Sequence, residues 1–184
     1  DANAAVVRRI DPTTGEVITV AGTPYSPGHA DGAGAAAQFQ SPRYMASDNS
    51  GMLYISDTNG NQLRAFNTVT SYVSTFAGSG VVGYVDAVGT LAEVHRPRGM
   101  TSDGTSVFFV EFNQHTVRQA VLATASVTTL AGQHCGGTGP CAGGYVEGVG
   151  AAARFNNPFS IAYHFSSRSL FVFDGGNAVI RRVQ

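Results

Sequence analysis

The residues in this chain best suited to chemistry are few, and most of them recur at a fixed spacing. An acidic residue is followed seven positions later by arginine four times: Asp1 and Arg8, Asp57 and Arg64, Glu111 and Arg118, Asp174 and Arg181. In a hairpin centred on Gly60-Asn61, positions 57 and 64 fall opposite each other, so the expected geometry is a cross-strand ion pair. We read the pairs as structural. Exposed ion pairs are typically worth ~0 to 1 kcal/mol, so their repetition argues for fixing register rather than for adding stability. The functional alternative is a ring of carboxylates or arginines facing a ligand channel.

Other groups with chemical potential resolve into architecture. Gly32-x-Gly34-x-x-Ala37 has the spacing of a dinucleotide-binding loop, but such a loop follows its strand at once and opens a long helix. Here Thr23 to Asp31 intervenes, and Pro42 ends any helix early. The pattern returns as Gly148-x-Gly150-x-x-Ala153, which makes it a connector. In that connector Asp31 and Glu147 are expected to cap a short helix, glycine to permit a tight entry, and Phe39 and Phe155 to plug the segment onto the fold. The five histidines show no HxH or HxxxH spacing, and there is no nucleophile elbow and no close carboxylate pair. Asp48-Asn49-Ser50-Gly51 starts like a calcium loop but lacks the later ligands, so it reads as a turn. No catalytic, cofactor-binding or metal-ligating residue is assigned. Cys135 and Cys141 flank a glycine-rich spacer able to bend, and we expect them to form a local disulfide; two free thiols are the alternative.

The elements that position these residues come from an internal repeat. Ala-Gly pairs end three strand-like runs, VITVAG at Gly22, VSTFAG at Gly78 and VTTLAG at Gly132, at offsets of 56 and 54 residues. Each run is followed by an acidic residue with glycines, an Ala-rich turn and then a proline, Pro42, Pro97 or Pro158. Two apolar segments and a segment ending in arginine complete the unit. Repetition at this period marks a solenoid or a propeller. The runs are short, rich in Val, Ile, Phe, Tyr and Thr, and separated by turn signals, which is strand and hairpin grammar at four strands per unit. Leu170 to Phe173 is apolar without alternation, so both faces of that strand are expected to be buried, as between propeller blades.

The order VxTxAG, DGxGxxAxFxxP, LYxxDxxxxxxIR resembles the NHL-repeat family of β-propellers over essentially the whole chain. The second unit is degenerate, with Val94 where Phe39 and Phe155 stand and Glu111 in place of Asp57 and Asp174. The resemblance implies an all-β, NHL-type propeller with about three four-stranded blades, part of a six-bladed ring. Residues 1–22 are then strands C and D of an incomplete blade, 23–78 and 79–132 are blades, and 133–184 is a blade lacking its last strand. Open blade faces and edges are a liability in isolation. The chain is therefore expected to be either a fragment of a longer propeller or a subunit whose missing blades come from a partner, another protein or a further copy of this chain, one copy's Asp1 to Gly22 hairpin finishing another's last blade.

Composition narrows the function classes. Hydrophobic residues are 43% and charged residues 12%, a globular balance. All eleven basic residues are arginine and the net charge is -1, so no basic field exists to attract nucleic acid. No apolar run reaches the ~18 residues of a membrane helix, so no membrane insertion is expected. No N-x-[ST] sequon is present, while abundant threonine leaves O-linked glycan open. The reading is a non-enzymatic extracellular or cell-surface interaction module, a building block of a larger assembly. The alternatives are a lyase- or hydrolase-type propeller enzyme with an axial metal site, as in the zinc-dependent amidating lyases that resemble the fold, and an intracellular RNA- or protein-binding NHL module.

Overall fold

The computed structural model describes residues 1–134 and 142–184. Cys135 and Cys141, and the disulfide expected of them, lie outside the described residues. Among the described residues fourteen strands form four antiparallel sheets. The first is the hairpin β1 (Val7–Ile10) and β2 (Val17–Ala21). The second contains β3 (Gly32–Ala33), β4 (Pro42–Ser47), β5 (Met52–Asp57), β6 (Gln62–Asn67) and β7 (Tyr72–Ala77) in the order β3-β7-β6-β5-β4. The third runs β8 (Pro97–Ser102), β9 (Ser106–Glu111), β10 (Thr116–Val121) and β11 (Val127–Ala131). The fourth holds β12 (Pro158–His164), β13 (Ser169–Asp174) and β14 (Val179–Val183). Among the described residues helix is confined to single 3₁₀ turns such as Gly34–Ala36 and Gly150–Ala152.

The sheets stack face to face, and strand alternation divides each strand's side chains between two neighbours. In β9, Val107 and Phe109 join Leu63, Val94 and Tyr54 in the core against the second sheet. Phe108 and Val110 of the same strand join Phe155, Leu170 and Val172 against the fourth. A third cluster holds Val7 and Ala21 against Phe39, Ile55 and Val73. The successive cores therefore lie between sheets, as a propeller requires.

Leu170 to Phe173 departs from expectation. Leu170 and Val172 are buried, but Phe171 and Phe173 are 37% and 46% exposed, because no further sheet among the described residues covers that face of the fourth sheet. The strand composition suits burial on both sides; the described chain supplies one.

The repeat also fixes register. Val7↔Ala21 with Arg8↔Thr19, Leu63↔Ala77 with Arg64↔Thr75, and Val117↔Ala131 with Arg118↔Thr129 pair identically, each with a bulge between the first residue and the arginine. The three prolines open β4, β8 and β12, where a missing N–H costs least.

Candidate functional site

The recurrent arginines are interior struts. Arg64 and Arg118 have no exposed side-chain surface, so their donors depend on partners within the fold; the Nη groups find them, while the Nε of each is buried without one. Arg118 donates from Nη1 to Glu111 Oε2 at 3.0 Å and from Nη2 to Asp86 Oδ1 at 2.8 Å and Val85 O at 3.3 Å. Its guanidinium carbon lies 4.6 Å from the Tyr84 ring centre. Arg64 likewise donates to Asp31 Oδ1 at 2.7 Å and to the carbonyls of Gln38 and Ala30 at 2.7 and 3.0 Å. Arg181 donates to the carbonyls of Val146 and Arg154 and lies 3.3 Å from Asp174 and 3.2 Å from Glu147. Each arginine thus clamps the irregular connector to its blade. The paired acid holds the connector's other end: Asp57 accepts from the amides of Gln40 and Ser41, Glu111 from that of His95, and Asp174 from that of Asn156. Asp1 and Arg8, at 4.0 Å, are both well exposed and form a looser pair.

Two expectations are corrected. Asp57 faces Gln62 and Arg64 faces Ile55 across the hairpin, not each other. The turn is centred on Asn59-Gly60 because Asn61 adopts a left-handed conformation, as do His115 and Ala178 at the equivalent places. Arg64 reaches Asp57 only diagonally, at 3.9 Å. That distance is too long to offset the desolvation of Asp57, so burial pushes its carboxyl above the usual aspartate range despite the amides of Ser41 and Gln40. At Arg118 the balance is reversed: burial pulls the cation down, but the charge and hydrogen bond of Glu111, aided by Asp86, raise it. Nor do Asp31 and Glu147 cap a helix. The 3₁₀ turns start at Gly34 and Gly150 without a side-chain cap, and the two acids serve Arg64 and Arg181 instead. Phe39 and Phe155 are buried beneath those arginines, at 5.3 and 4.6 Å.

Two open sites among the described residues bear on function. The first is a trough of about 400 Å³ beside β14, lined by Glu147 to Gly150, Ala153, Phe155 and Arg181 to Gln184. In the second sheet β7 fills the corresponding place, pairing with β6 on one side and with Gly32 and Ala33 on the other. There Thr75 donates to Asp31 at 3.0 Å, and in the third sheet Thr129 donates to Asp86 at 3.1 Å. In the fourth sheet Val149 is 92% exposed.

The second site lies at the axis and holds residues that the repeat pattern alone did not single out. β4, β8 and β12 are the inner strands, and Tyr44 of β4 meets Phe159 of β12 edge-on at 5.9 Å although β8 lies between. The three strands therefore turn around one centre. Gly99 permits this closeness, since a Cβ there would stand 2.5 Å from Ser160 Cα. Arg98 stacks 3.8 Å from the centre of the Phe112 ring and 4.9 Å from that of Phe159. The available signal was positional: Arg98 follows Pro97 as Arg43 follows Pro42. A hollow of about 330 Å³, just before β8, is lined by Asn59, Asn61, Val82, His95 and Arg96. Burial holds the His95 imidazole below its ordinary pKa, against the pull of Glu111.

Stacked sheets turning about an axis lined by their first strands define a β-propeller. Comparison with known proteins agrees. The crystal structure of an auxiliary nutrient binding protein from Bacteroides thetaiotaomicron is 24% identical at a TM-score of 0.74, covering 100% of this chain and 44% of that one. A protein of the same description from Bacteroides ovatus is 23% identical at a TM-score of 0.73, covering 98% and 43%. Virginiamycin B lyase from Staphylococcus aureus is 11% identical at a TM-score of 0.55, covering 99% and 49%. By sequence, Protein SUPPRESSOR OF QUENCHING 1, chloroplastic, from Arabidopsis thaliana is 27% identical over 126 residues, 64% of this chain and 12% of that protein. No family model matches. The chain thus spans less than half of these structures and about an eighth of the plant protein.

Proposed function

We propose that this chain is a non-enzymatic interaction module of the NHL type, part of a six-bladed propeller acting at the cell surface or in secretion, and that the trough beside β14 is a receptor for one further strand that completes the blade of β12 to β14. The observation that carries this reading is the trough beside β14. Its two walls are the same strand and connector that grip β7 and β11 in the complete blades. The strand that fits has the form Val-x-Thr-x-Ala-Gly, as in Val73 to Gly78 and Val127 to Gly132. Its threonine meets Glu147, its Ala-Gly end lands by Phe155, and its backbone pairs with β14 and with Gly148-Val149.

A second copy of this chain fits less well. The trough takes one strand, whereas the hairpin of β1 and β2 brings two, and β2 could enter only by leaving β1. A strand presented singly avoids that loss. The nutrient-binding description of the Bacteroides structures is compatible with a binding role, while the likeness to the lyase, at 11% identity, extends to the fold alone.

The test adds a labelled peptide of sequence Ser126 to Gln133 to the chain and follows fluorescence polarisation. Saturable binding is expected, weakened about tenfold when the peptide's threonine equivalent to Thr129 is replaced by valine, since a hydrogen bond to a charged group is worth ~1.5 to 3 kcal/mol. Equal binding of a scrambled peptide would overturn the reading.

A further inference from the structure

We propose that Arg98 anchors a binding site for a small oxyanion, a carboxylate or phosphate group, at the axial end of the inner strands. The observation is a contrast among arginines of one chain. Arg64, Arg118 and Arg181 each have two carboxylates within 4.0 Å and donate to connector carbonyls. Arg98 has no carboxylate within 4.0 Å and no hydrogen bond among the described residues; its Nε is buried without a partner, as are those of Arg64 and Arg118, so the contrast lies in the Nη groups. A fold that meets the Nη groups of three guanidiniums with carboxylates and carbonyls leaves those of Arg98 unmet.

Arg98 is nevertheless held in place. Phe112 and Phe159 meet edge-on, with ring centres 6.4 Å apart and an interplanar angle of 82°, so one ring covers the guanidinium face and the other its flank. Cation–π stacking of this kind orders the side chain without using its hydrogen-bond donors. The two Nη groups are left toward solvent, a planar fork matched to the paired oxygens of a carboxylate or phosphate. Arg43 and Arg96 add positive charge, and burial together with these like charges depresses the Arg98 pKa, opposed by Tyr44. An arriving anion relieves both effects. The Tyr44 phenol is itself pushed up by burial and stays protonated at neutral pH, so it is available as a neutral donor.

The site does not depend on the strand-completion reading, because its residues come from β4, β8, β12 and the turn after β9. The test is an NMR titration of the chain labelled at arginine nitrogen, following the Arg98 Nε–H signal with inorganic phosphate, with benzoate and with chloride at matched ionic strength. Phosphate, benzoate or both are expected to give saturable shifts where chloride does not, and which of them saturates identifies the oxyanion class. In Arg98→Lys, which keeps the charge but loses the fork, affinity for that probe is expected to fall at least about tenfold. Shifts no different from those with chloride, or unchanged affinity in a folded Arg98→Lys, would overturn the proposal. The wild-type titration decides the matter if the variant does not fold.

Discussion

At the scale of the residue, this chain uses arginine in two ways that its sequence does not distinguish. The acid-to-arginine interval of seven was legible because both partners belong to one hairpin. The second carboxylate of each strut was not: Asp31 lies 33 residues from Arg64 and Asp86 lies 32 from Arg118, and only closure of the connector joins them. The register was misread for a local reason, the left-handed Asn61, which shifts the turn centre by one residue. Arg98 was illegible as a site because its distinction is the lack of a partner, which is a property of space. Burial turns the struts from weak surface pairs into strong ones. Replacing Arg118 by alanine strands Glu111, which has no exposed surface, beside the polar connector. Removing one partner of a buried pair costs about 3 to 5 kcal/mol, so chemical denaturation of Arg118→Ala should show a loss of that size. A loss below about 1 kcal/mol would mean that Glu111 finds other partners.

At the scale of the element, strands were legible wherever side-chain chemistry set them, and less so where backbone proximity did. The inner, middle and outer strands of the blades follow from runs such as Leu53 to Ser56 and from the turns between them. The two-residue β3 was not readable, since Gly32 and Ala33 carry no strand propensity and pair with β7 only because the connector wraps the blade edge. Gly99 is a similar case. Its importance comes from the backbone of β12, with Ser160 Cα and Phe159 O at 2.5 and 2.7 Å from a virtual Cβ, and neither neighbour is the movable end of a side chain. Gly99→Ala should therefore push β8 from β12 and cost about 1 to 3 kcal/mol, as overpacking does. Thermal or denaturant unfolding measures this, and the axial stacking of Arg98 on Phe159 should loosen with it. An alanine variant as stable as the parent would show that the inner strands are not held by this contact.

At the scale of the whole molecule, the stacked sheets are unequal. The third sheet is covered on both faces, by the second and the fourth, so β9 has every residue buried. The hairpin of β1 and β2 and the fourth sheet each have one covered face, leaving Ile10, Phe173 and Ile180 at 63%, 46% and 73% exposure. The repeat period and strand phase made this inequality legible, because they fix which strands each sheet contains. Local opening follows buried contact, so protection against amide exchange should grade along the stack. We expect the slowest exchange at Phe109 and Val110, faster exchange in β12 to β14, and the fastest in β1 and β2. The decisive comparison comes when the strand peptide is added. The outward amides of β14 and the amides of Gly148-Val149 should then slow together, while those of β1 and β2 stay as they were, because only the trough beside β14 gains a ladder partner. Protection of β14 equal to that of β9 in the chain alone would mean that the edge is already paired, and the reading of the trough as a receptor for a strand would have to be abandoned.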